Sequence, residues 1–274
     1  MKKLGLIAGG GIMPFEVIKN CINTQRPLFV VGIEPFFVVP DSIIFPHCSV
    51  KLGEAGKILN AFKQNECQEI VLAGFIKRPS FRNLIPDWKG AKILTKLALS
   101  GLSDDHIFKA IIKEIEKHGF TVVGVDEVIP QMLFSEGIYT ATKPSKEDLD
   151  DIKRGVEVSL ALGTVDVGQA CVVQEGMVLA VEAMEGTDEM MARANTIKRN
   201  GKDPIVVKLA KPNQDKRVDL PTIGLNTIEQ MKKYGMKGIA VQAGAILLLE
   251  QNKVIESANN EKIFIIGINP TEVL

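Results

Sequence analysis

The chain has 274 residues, 46% of them hydrophobic and 24% charged, which is the composition of a folded protein rather than a disordered one. Its 33 basic and 33 acidic side chains cancel, so it lacks the basic excess that nucleic-acid binders carry. No apolar stretch approaches the roughly 20 residues of a membrane-spanning helix, and the four cysteines form no C-x-x-C pair, so we expect a cytosolic protein without a zinc site or disulfide framework.

Strand and helix patterns alternate from the N-terminus to about residue 125. The predicted strands are LGLIA (4–8), LFVVGI (28–33), EIVLAG (69–74) and FTVVGV (120–125). Helices are predicted between them at 14–22, 54–64 and 104–119, the last capped by Ser103 and ended by Gly119. This α/β alternation predicts a Rossmann-like parallel sheet as an N-terminal domain over residues 1–130.

The regular alternation of strand and helix patterns ends at about residue 130. A helix is predicted over 145–162, followed by a β-hairpin over 170–183 that turns at Glu175–Gly176. The later elements are a strand in PIVVKLA (204–210), a helix near 227–234, a second hairpin over 245–257 and a last strand, KIFIIGI. Hairpins mixed with helices favour a smaller α+β C-terminal domain over 138–274, after a linker at about 131–137.

The first candidate motif is the glycine turn, Gly9 to Gly11, between the first strand and the first helix. Such a turn offers backbone N–H groups and a helix N-terminus to an anion. As a dinucleotide fingerprint it is imperfect, because Pro14 stands where a glycine is required, although Glu34 follows the second strand where a ribose-binding carboxylate would lie. Nucleotide or phosphate binding and a plain packing turn both fit this motif.

The second motif is GFIKRPSFRNLIPD (74–87), directly after the strand EIVLAG. An open α/β sheet presents its ligand crevice at this end of its strands. Lys77 and Arg78, with Arg82, could meet phosphates there; the alternative is a solvated basic loop. Asp104, at the start of a predicted helix, is suited to the positive end of the helix dipole.

The third motif is VEAMEGTDEMMARA (181–194). It predicts a strand that ends at Glu185 and a helix that begins at Asp188 with Thr187 as its cap. Glu185, Asp188 and Glu189 lie close together in sequence at the corner where this strand meets this helix. A group of carboxylates favours a hard cation such as Mg²⁺. Helix capping alone explains Thr187 and Asp188 but gives no reason for Glu185.

The fourth motif is the proline-containing loop AKPNQDKRVDLPTIGLNT (210–227). Irregular loops often carry function on a rigid scaffold. Asp219, between two apolar neighbours, could hold Mg²⁺ or act as general base toward water. The alternative is an aspartate that structures the turn at Pro221.

Together, GLIAGGGIMP, AGFIKRPSF, EAMEGTD and RVDLPTIG, in this order and spacing, resemble the LpxI family of UDP-2,3-diacylglucosamine pyrophosphatases of Gram-negative lipid A synthesis. The resemblance runs from Met1 to the last strand. It implies two domains with the substrate between them, and Mg²⁺-assisted hydrolysis to UMP and 2,3-diacylglucosamine 1-phosphate (lipid X), with water attacking the phosphorus on the sugar side. It also implies a cytoplasmic homodimer with peripheral contact with the inner membrane.

The resemblance assigns roles to individual residues. Asp219, Asp188 and Glu185 are the expected catalytic residues and Mg²⁺ ligands. The predicted substrate-binding residues are Gly10, Gly11, Ile12, Gly74, Phe75, Lys77, Arg78, Asp104, Thr187, Lys211, Thr222 and Gly224.

Two rival hypotheses come from other functional classes. An NAD(P)-dependent oxidoreductase is suggested by the glycine turn and Glu34, yet the sequence offers no convincing His–Asp or Tyr–Lys set for hydride transfer. A non-catalytic nucleotide-sensing module is suggested by the modest specificity of each isolated motif.

Overall fold

A computed structural model describes residues 1–40, 43–76, 87, 90, 104–212, 215–218 and 220–274, with the backbone alone at 104–106. The chain forms two compact units. The first contains residues 1–130 and the described part of 215–219, and the second contains the other described residues from 131 onward.

The first unit is built on a parallel sheet whose described strands run in the order β3-β2-β1-β4-β5. They are β1 (Leu4–Ala8), β2 (Leu28–Glu34), β3 (His47–Lys51), β4 (Glu69–Ala73) and β5 (Thr121–Val122). The central strands are almost wholly buried, as expected of a parallel sheet that is covered on both faces. The predicted parallel α/β arrangement is confirmed.

Three helices of this unit lie close to their predicted bounds: α1 (Met13–Asn23), α2 (Ala55–Gln64) and α3 (Asp104–Lys117). The short helix α4 (Val125–Val128) was not predicted. The predicted strand over 120–125 is shorter than expected, because the chain turns into α4 after Val122. Strand β3 was missed because only Val50 is buried in it, which leaves no apolar run to detect. Ser103 lies outside the described residues.

The second unit is built on a mixed sheet in the order β6-β13-β11-β9-β7-β8 among the residues described. Its strands are β6 (Gly137–Ile138), β7 (Ala170–Gln174), β8 (Met177–Val181), β9 (Ile205–Lys208), β11 (Gly238–Gln242) and β13 (Phe264–Ile268); a separate parallel pair is β10 (Thr222–Ile223) with β12 (Leu247–Leu248). β9, β11 and β13 are parallel, whereas β7 runs antiparallel to β9. The predicted hairpin of β7 and β8 is confirmed, with its turn at Glu175–Gly176 in positive φ.

Helices cover both faces of this second sheet. They are α5 (Lys146–Thr164), α6 (Gly186–Ile197), α7 (Leu225–Lys233), α8 (Gln251–Asn260) and the short α9 (Pro270–Val273). Ile152 and Val156 of α5 belong to one apolar cluster, and Met190 and Met231 of α6 and α7 belong to another. The sheet therefore has a core on each face.

The predicted hairpin over 245–257 is wrong. Leu247–Leu248 form only the short strand β12, and α8 begins at Gln251 after Glu250 adopts a left-handed conformation. Val254 and Ala258 are buried one helical turn apart, so their spacing satisfies a helix as well as a strand pattern. Short apolar runs of this kind are ambiguous without their tertiary partners.

Residues in and just after the predicted linker take part in the core packing and strand pairing of the second unit. Phe134 is buried in the core of the second unit, and Gly137–Ile138 pair with β13.

Within the described chain, none of the helices combines the length and the apolar character that crossing a membrane requires.

Candidate active site

The glycine turn lies at the carboxyl ends of β1 and β4, the edge at which open parallel sheets bind ligands. The Gly10 N–H donates to the Phe75 carbonyl over 2.8 Å, and the Phe75 N–H donates to the Gly10 carbonyl over 2.9 Å. The Gly9 N–H donates to the Ala73 carbonyl over 2.8 Å. The structure thus brings the first two sequence motifs into direct contact.

Close packing of these two loops explains why glycine is required at three of their positions. A Cβ at position 9 would lie 2.7 Å from the Phe75 carbonyl oxygen, and one at position 10 would lie 2.9 Å from its ring. A Cβ on Gly74 would lie 2.5 Å from the carbonyl oxygen of Gly10. Gly11 differs, since it is exposed and its φ of +90° lies in the region that favours glycine.

The exposed surface beside this turn suits a nucleotide. The Phe75 side chain is 57% exposed and its ring lies against Gly10 and Gly11. Helix α1 begins directly after Ile12, whose side chain provides no capping hydrogen bond. An aromatic ring can stack on a base, and the positive end of a helix dipole attracts phosphate. Pro14 has no N–H and the Phe15 N–H donates to the Ile12 carbonyl over 3.0 Å, so the dipole and the glycine turn, rather than the first turn of α1, are the features that suit an anion.

Several predicted residues of this unit cannot be placed. Lys77 and Arg78, the cations predicted to meet phosphates, lie outside the described residues. Asp104 begins α3, where the backbone alone is described. Glu34 is exposed at the carboxyl end of β2, the strand next to β1, which is where the dinucleotide hypothesis needs its carboxylate.

The corner around Glu185 belongs to the second unit, and its local structure differs from the prediction. β8 ends at Val181 and α6 begins at Gly186, so the predicted strand end at Glu185 and helix start at Asp188 are wrong. Glu185 occupies the N-cap position, and Thr187 lies inside the first turn instead of capping it. Gly186 has a φ of +83°, a conformation that favours glycine, at the turn between Glu185 and the rest of α6.

Two of the three predicted carboxylates at this corner, Glu185 and Asp188, accept hydrogen bonds from neighbouring side chains. Glu185 Oε1 accepts a hydrogen bond from Arg193 over 2.5 Å, and Asp188 Oδ2 accepts one from the Asn226 amide over 2.8 Å. The pKa of Glu185 is lowered, first by the hydrogen bond from its own backbone N–H and then by Arg193. Glu185 is therefore ionised at neutral pH.

Two further polar residues at this corner were missed by the sequence analysis. Lys208, the last residue of β9, and Glu182, just after β8, are only 8% and 6% exposed. Lys208 Nζ donates to the Thr187 hydroxyl over 2.8 Å, and that hydroxyl donates to Glu182 Oε1 over 2.5 Å. The available signal was a charged residue at the end of an otherwise apolar strand, as in PIVVK and MVLAVE.

The predicted metal site is incomplete within the described chain. There, no three acidic, histidine or cysteine side chains are grouped closely enough to hold a metal ion. Glu185 and Asp188 are described, but the third predicted ligand, Asp219, is not. The carboxylate oxygens present are the right chemistry for Mg²⁺, yet they do not by themselves fit a complete site.

The fourth motif is divided between the two units. Lys211 forms an ion pair with Asp166 over 2.8 Å, and Thr222 and Gly224 form strand β10 and the N-cap of α7, all in the second unit. Residues 215–218 belong to the first unit, where Arg217 forms ion pairs with Asp215 and with Glu116 of α3. The described site residues of this loop, Lys211, Thr222 and Gly224, thus belong to the second unit, and Asp219 lies outside the described residues.

Comparison with known proteins agrees with the sequence resemblance. The model of the LpxI N-terminal domain matches residues 3–132, and that of the LpxI C-terminal domain matches residues 135–266. UDP-2,3-diacylglucosamine pyrophosphatase LpxI of Caulobacter vibrioides is 37% identical over 279 aligned positions, which cover 99% of both chains. A solved N5-carboxyaminoimidazole synthase from Aspergillus clavatus, in complex with ADP and an aminoimidazole ribonucleotide, is 10% identical, with a TM-score of 0.23 over 72% of this chain and 44% of its own. On the two domain matches and the full-length relative, the chain belongs to the LpxI family.

Proposed function

We propose that this protein hydrolyses the diphosphate of UDP-2,3-diacylglucosamine to UMP and 2,3-diacylglucosamine 1-phosphate, a step of lipid A biosynthesis. The observation that carries the proposal is the 37% identity to a pyrophosphatase of that substrate over 99% of both chains. The protein is accordingly an enzyme, a hydrolase of a phosphoanhydride bond.

The described residues support chemistry on a nucleotide diphosphate. Phosphoryl transfer needs little covalent chemistry from the protein, so positioning and charge neutralisation dominate. The glycine turn before α1 and the exposed ring of Phe75 suit phosphate and base in the first unit. In the second unit, Glu185, Thr187 and Asp188 gather at the start of α6.

We include Mg²⁺ in the proposal on the chemistry of the donors. Glu185, Asp188 and Asp219 carry carboxylates, the ligands that Mg²⁺ accepts, and bound Mg²⁺ would offset the charge of the diphosphate. Since the described residues supply only two of these three, no reaction step is assigned to the ion.

The proposal is tested by incubating the purified protein with UDP-2,3-diacylglucosamine in H₂¹⁸O and MgCl₂, and analysing the products by mass spectrometry. We expect UMP and 2,3-diacylglucosamine 1-phosphate, with ¹⁸O in the sugar phosphate if water attacks the sugar-side phosphorus. Label in UMP would instead place the attack on the other phosphorus.

Two controls separate the remaining possibilities. Adding EDTA should stop UMP release and adding Mg²⁺ back should restore it; release that persists in EDTA contradicts Mg²⁺ dependence but not the hydrolysis. Absence of UMP together with tight NADH binding would favour the oxidoreductase hypothesis, for which Glu34 would be the ribose ligand.

The implied homodimer and the implied membrane contact stay proposals. Light scattering after size-exclusion chromatography measures the first, and co-flotation with vesicles of inner-membrane lipids measures the second.

A further inference from the structure

Lys208 is a charged side chain whose burial is energetically unfavourable. It is 8% exposed, and no carboxylate oxygen of the described residues lies within the 4.0 Å of an ion pair with its Nζ. Burial lowers the pKa of Lys208, and attraction to the Glu182 and Asp188 carboxylates opposes this effect. Because an ammonium that is buried without an ion pair destabilises a fold, its presence calls for a functional reason.

The hydrogen bonds at Lys208 have a defined direction. A lysine ammonium can only donate, so the Thr187 oxygen accepts the 2.8 Å bond from Nζ. The single hydroxyl proton of Thr187 is then directed to Glu182 Oε1, 2.5 Å away. Glu182 is held in turn by the Gln169 N–H, which donates to its Oε2 over 3.2 Å. The orientation of the Thr187 hydroxyl is thus set from both sides.

This arrangement also affects the charge of the corner. Glu182, just after β8, and Glu185 and Asp188, at the start of α6, place three carboxylates at this corner, and a diphosphate that approaches them would be repelled. Arg193 neutralises Glu185 by direct contact, whereas Lys208 acts on Glu182 through Thr187. A neutral amide such as glutamine could donate the same hydrogen bond, so the positive charge is the property that sets lysine apart.

We propose that Lys208 is a positioning residue for the hydrolysis, which orients the Thr187 hydroxyl and supplies the positive charge that offsets Glu182 beside the bound diphosphate. This inference rests on the proposed function. It adds to the predicted site residues a lysine that acts on the substrate indirectly, through the hydrogen bonds that join it by way of Thr187 to Glu182.

The test compares three substitutions of Lys208 in the UMP-release assay. Lys208→Met removes the donor and the charge, Lys208→Gln keeps a donor, and Lys208→Arg keeps both. We expect kcat to fall about tenfold or more in the Met and Gln variants with KM changed less than about threefold, and to be largely restored in the Arg variant. The melting temperature of each variant is measured alongside, because Lys208→Met leaves the buried Glu182 carboxylate without the positive charge that offsets it and should lower stability, whereas Lys208→Arg should not.

A double-mutant cycle tests whether Lys208 acts through Thr187. If it does, Thr187→Val with Lys208→Met should be little slower than Thr187→Val alone. Lys237→Met is the matched control, because Lys237 pairs with the buried Asp148 elsewhere in the same unit and should change stability without changing kcat.

Three outcomes would overturn the inference. They are a folded Lys208→Met variant with kcat within about twofold of the unmodified protein, an equal loss in the Arg and Gln variants, and full additivity with Thr187→Val. The Arg–Gln comparison decides the question if Lys208→Met does not fold. Absence of UMP from the unmodified protein overturns the proposed function as well, whereas UMP release that is insensitive to Lys208 overturns this inference alone.

Discussion

Gly74 shows how one residue can be required by packing at the edge of the candidate site. Its φ is +90°, and the carbonyl oxygen of Gly10 lies 2.5 Å from where a Cβ would be. Backbone atoms cannot move aside as a flexible side chain can. The contact between the two loops therefore depends on the absence of a side chain at this position.

Gly74→Ala should destabilise the protein by about 3 kcal/mol, the sum of positive-φ strain and overpacking. Gly119→Ala is the matched control, because Gly119 has φ +88° but nothing within 4 Å of a Cβ, so strain alone should cost about 1 kcal/mol. Urea unfolding followed by circular dichroism measures both. Equal losses would show that the contact with Gly10 contributes nothing.

Asp219 is a second single residue whose substitution is informative, and its expected role comes from the family resemblance. Asp219→Ala should abolish UMP release while the melting temperature and substrate binding stay close to those of the unmodified protein, because a metal ligand or general base acts in the reaction more than in the fold. Near-normal turnover in this variant would remove Asp219 from the mechanism.

At the scale of elements, the start of α5 illustrates how a helix is tied to a sheet. Ser145 and Asp148 form a capping box, in which the Ser145 N–H donates to Asp148 Oδ2 over 2.7 Å. Lys237, which precedes β11, donates to both oxygens of the same carboxylate at 2.8 and 2.7 Å. One nearly buried carboxylate thus joins two elements that are distant in sequence.

This pair predicts acid sensitivity. Burial alone would raise the pKa of Asp148, but hydrogen bonds from Lys237 and Ser145 hold it below its ordinary value of 3.8. A carboxyl whose pKa is depressed in the folded state stabilises the fold above its unfolded pKa and loses that contribution as pH falls through the folded value. We therefore expect the free energy of unfolding to decline as pH falls below about 4.

Lys237→Met should flatten that acid decline and should cost about 2–3 kcal/mol at pH 7, because Asp148 is then buried without its cation. Lys232→Met is the control, since the exposed pair of Lys232 with Glu261 should contribute less than about 0.5 kcal/mol. Urea unfolding at several pH values measures these effects. An unchanged acid slope in Lys237→Met would contradict the assignment.

At the scale of the whole molecule, the chain does not divide into units at a single point. Residues 215–218 are flanked by the sequence of the second unit, yet they belong to the first. Val218 packs against the apolar core of the first unit, and Arg217 pairs with Glu116 of α3. The stability of the first unit therefore depends on residues far beyond its main sequence span.

Val218→Ala should accordingly loosen the first unit and not the second. Loss of two half-buried methyl groups should cost about 1 kcal/mol, which corresponds to about fivefold faster amide exchange in β4 and α3. Exchange in β9 and β11 should stay unchanged, and Val165→Ala, at a residue 69% exposed, should alter neither unit. Faster exchange confined to β9 and β11 would contradict the division described here.

The sequence by itself determined the features that depend on neighbours along the chain. Apolar runs that alternate with helical periodicity predicted the parallel sheet of the first unit, and Glu175–Gly176 between two strand patterns predicted the hairpin of the second. Four short motifs in a fixed order identified the family, since together they are far more specific than any one alone. These signals are local, so no folded structure was needed to detect them.

Only the tertiary structure decided which distant residues meet. It showed that Gly10 pairs with Phe75, that Lys208 lies against Thr187 and Glu182, and that residues 215–218 pack in the first unit. It also resolved the ambiguous run at 245–257 into a short strand and a helix. The physical reason is that burial and hydrogen bonding between residues far apart in sequence can outweigh local preference, and no local pattern specifies the partner.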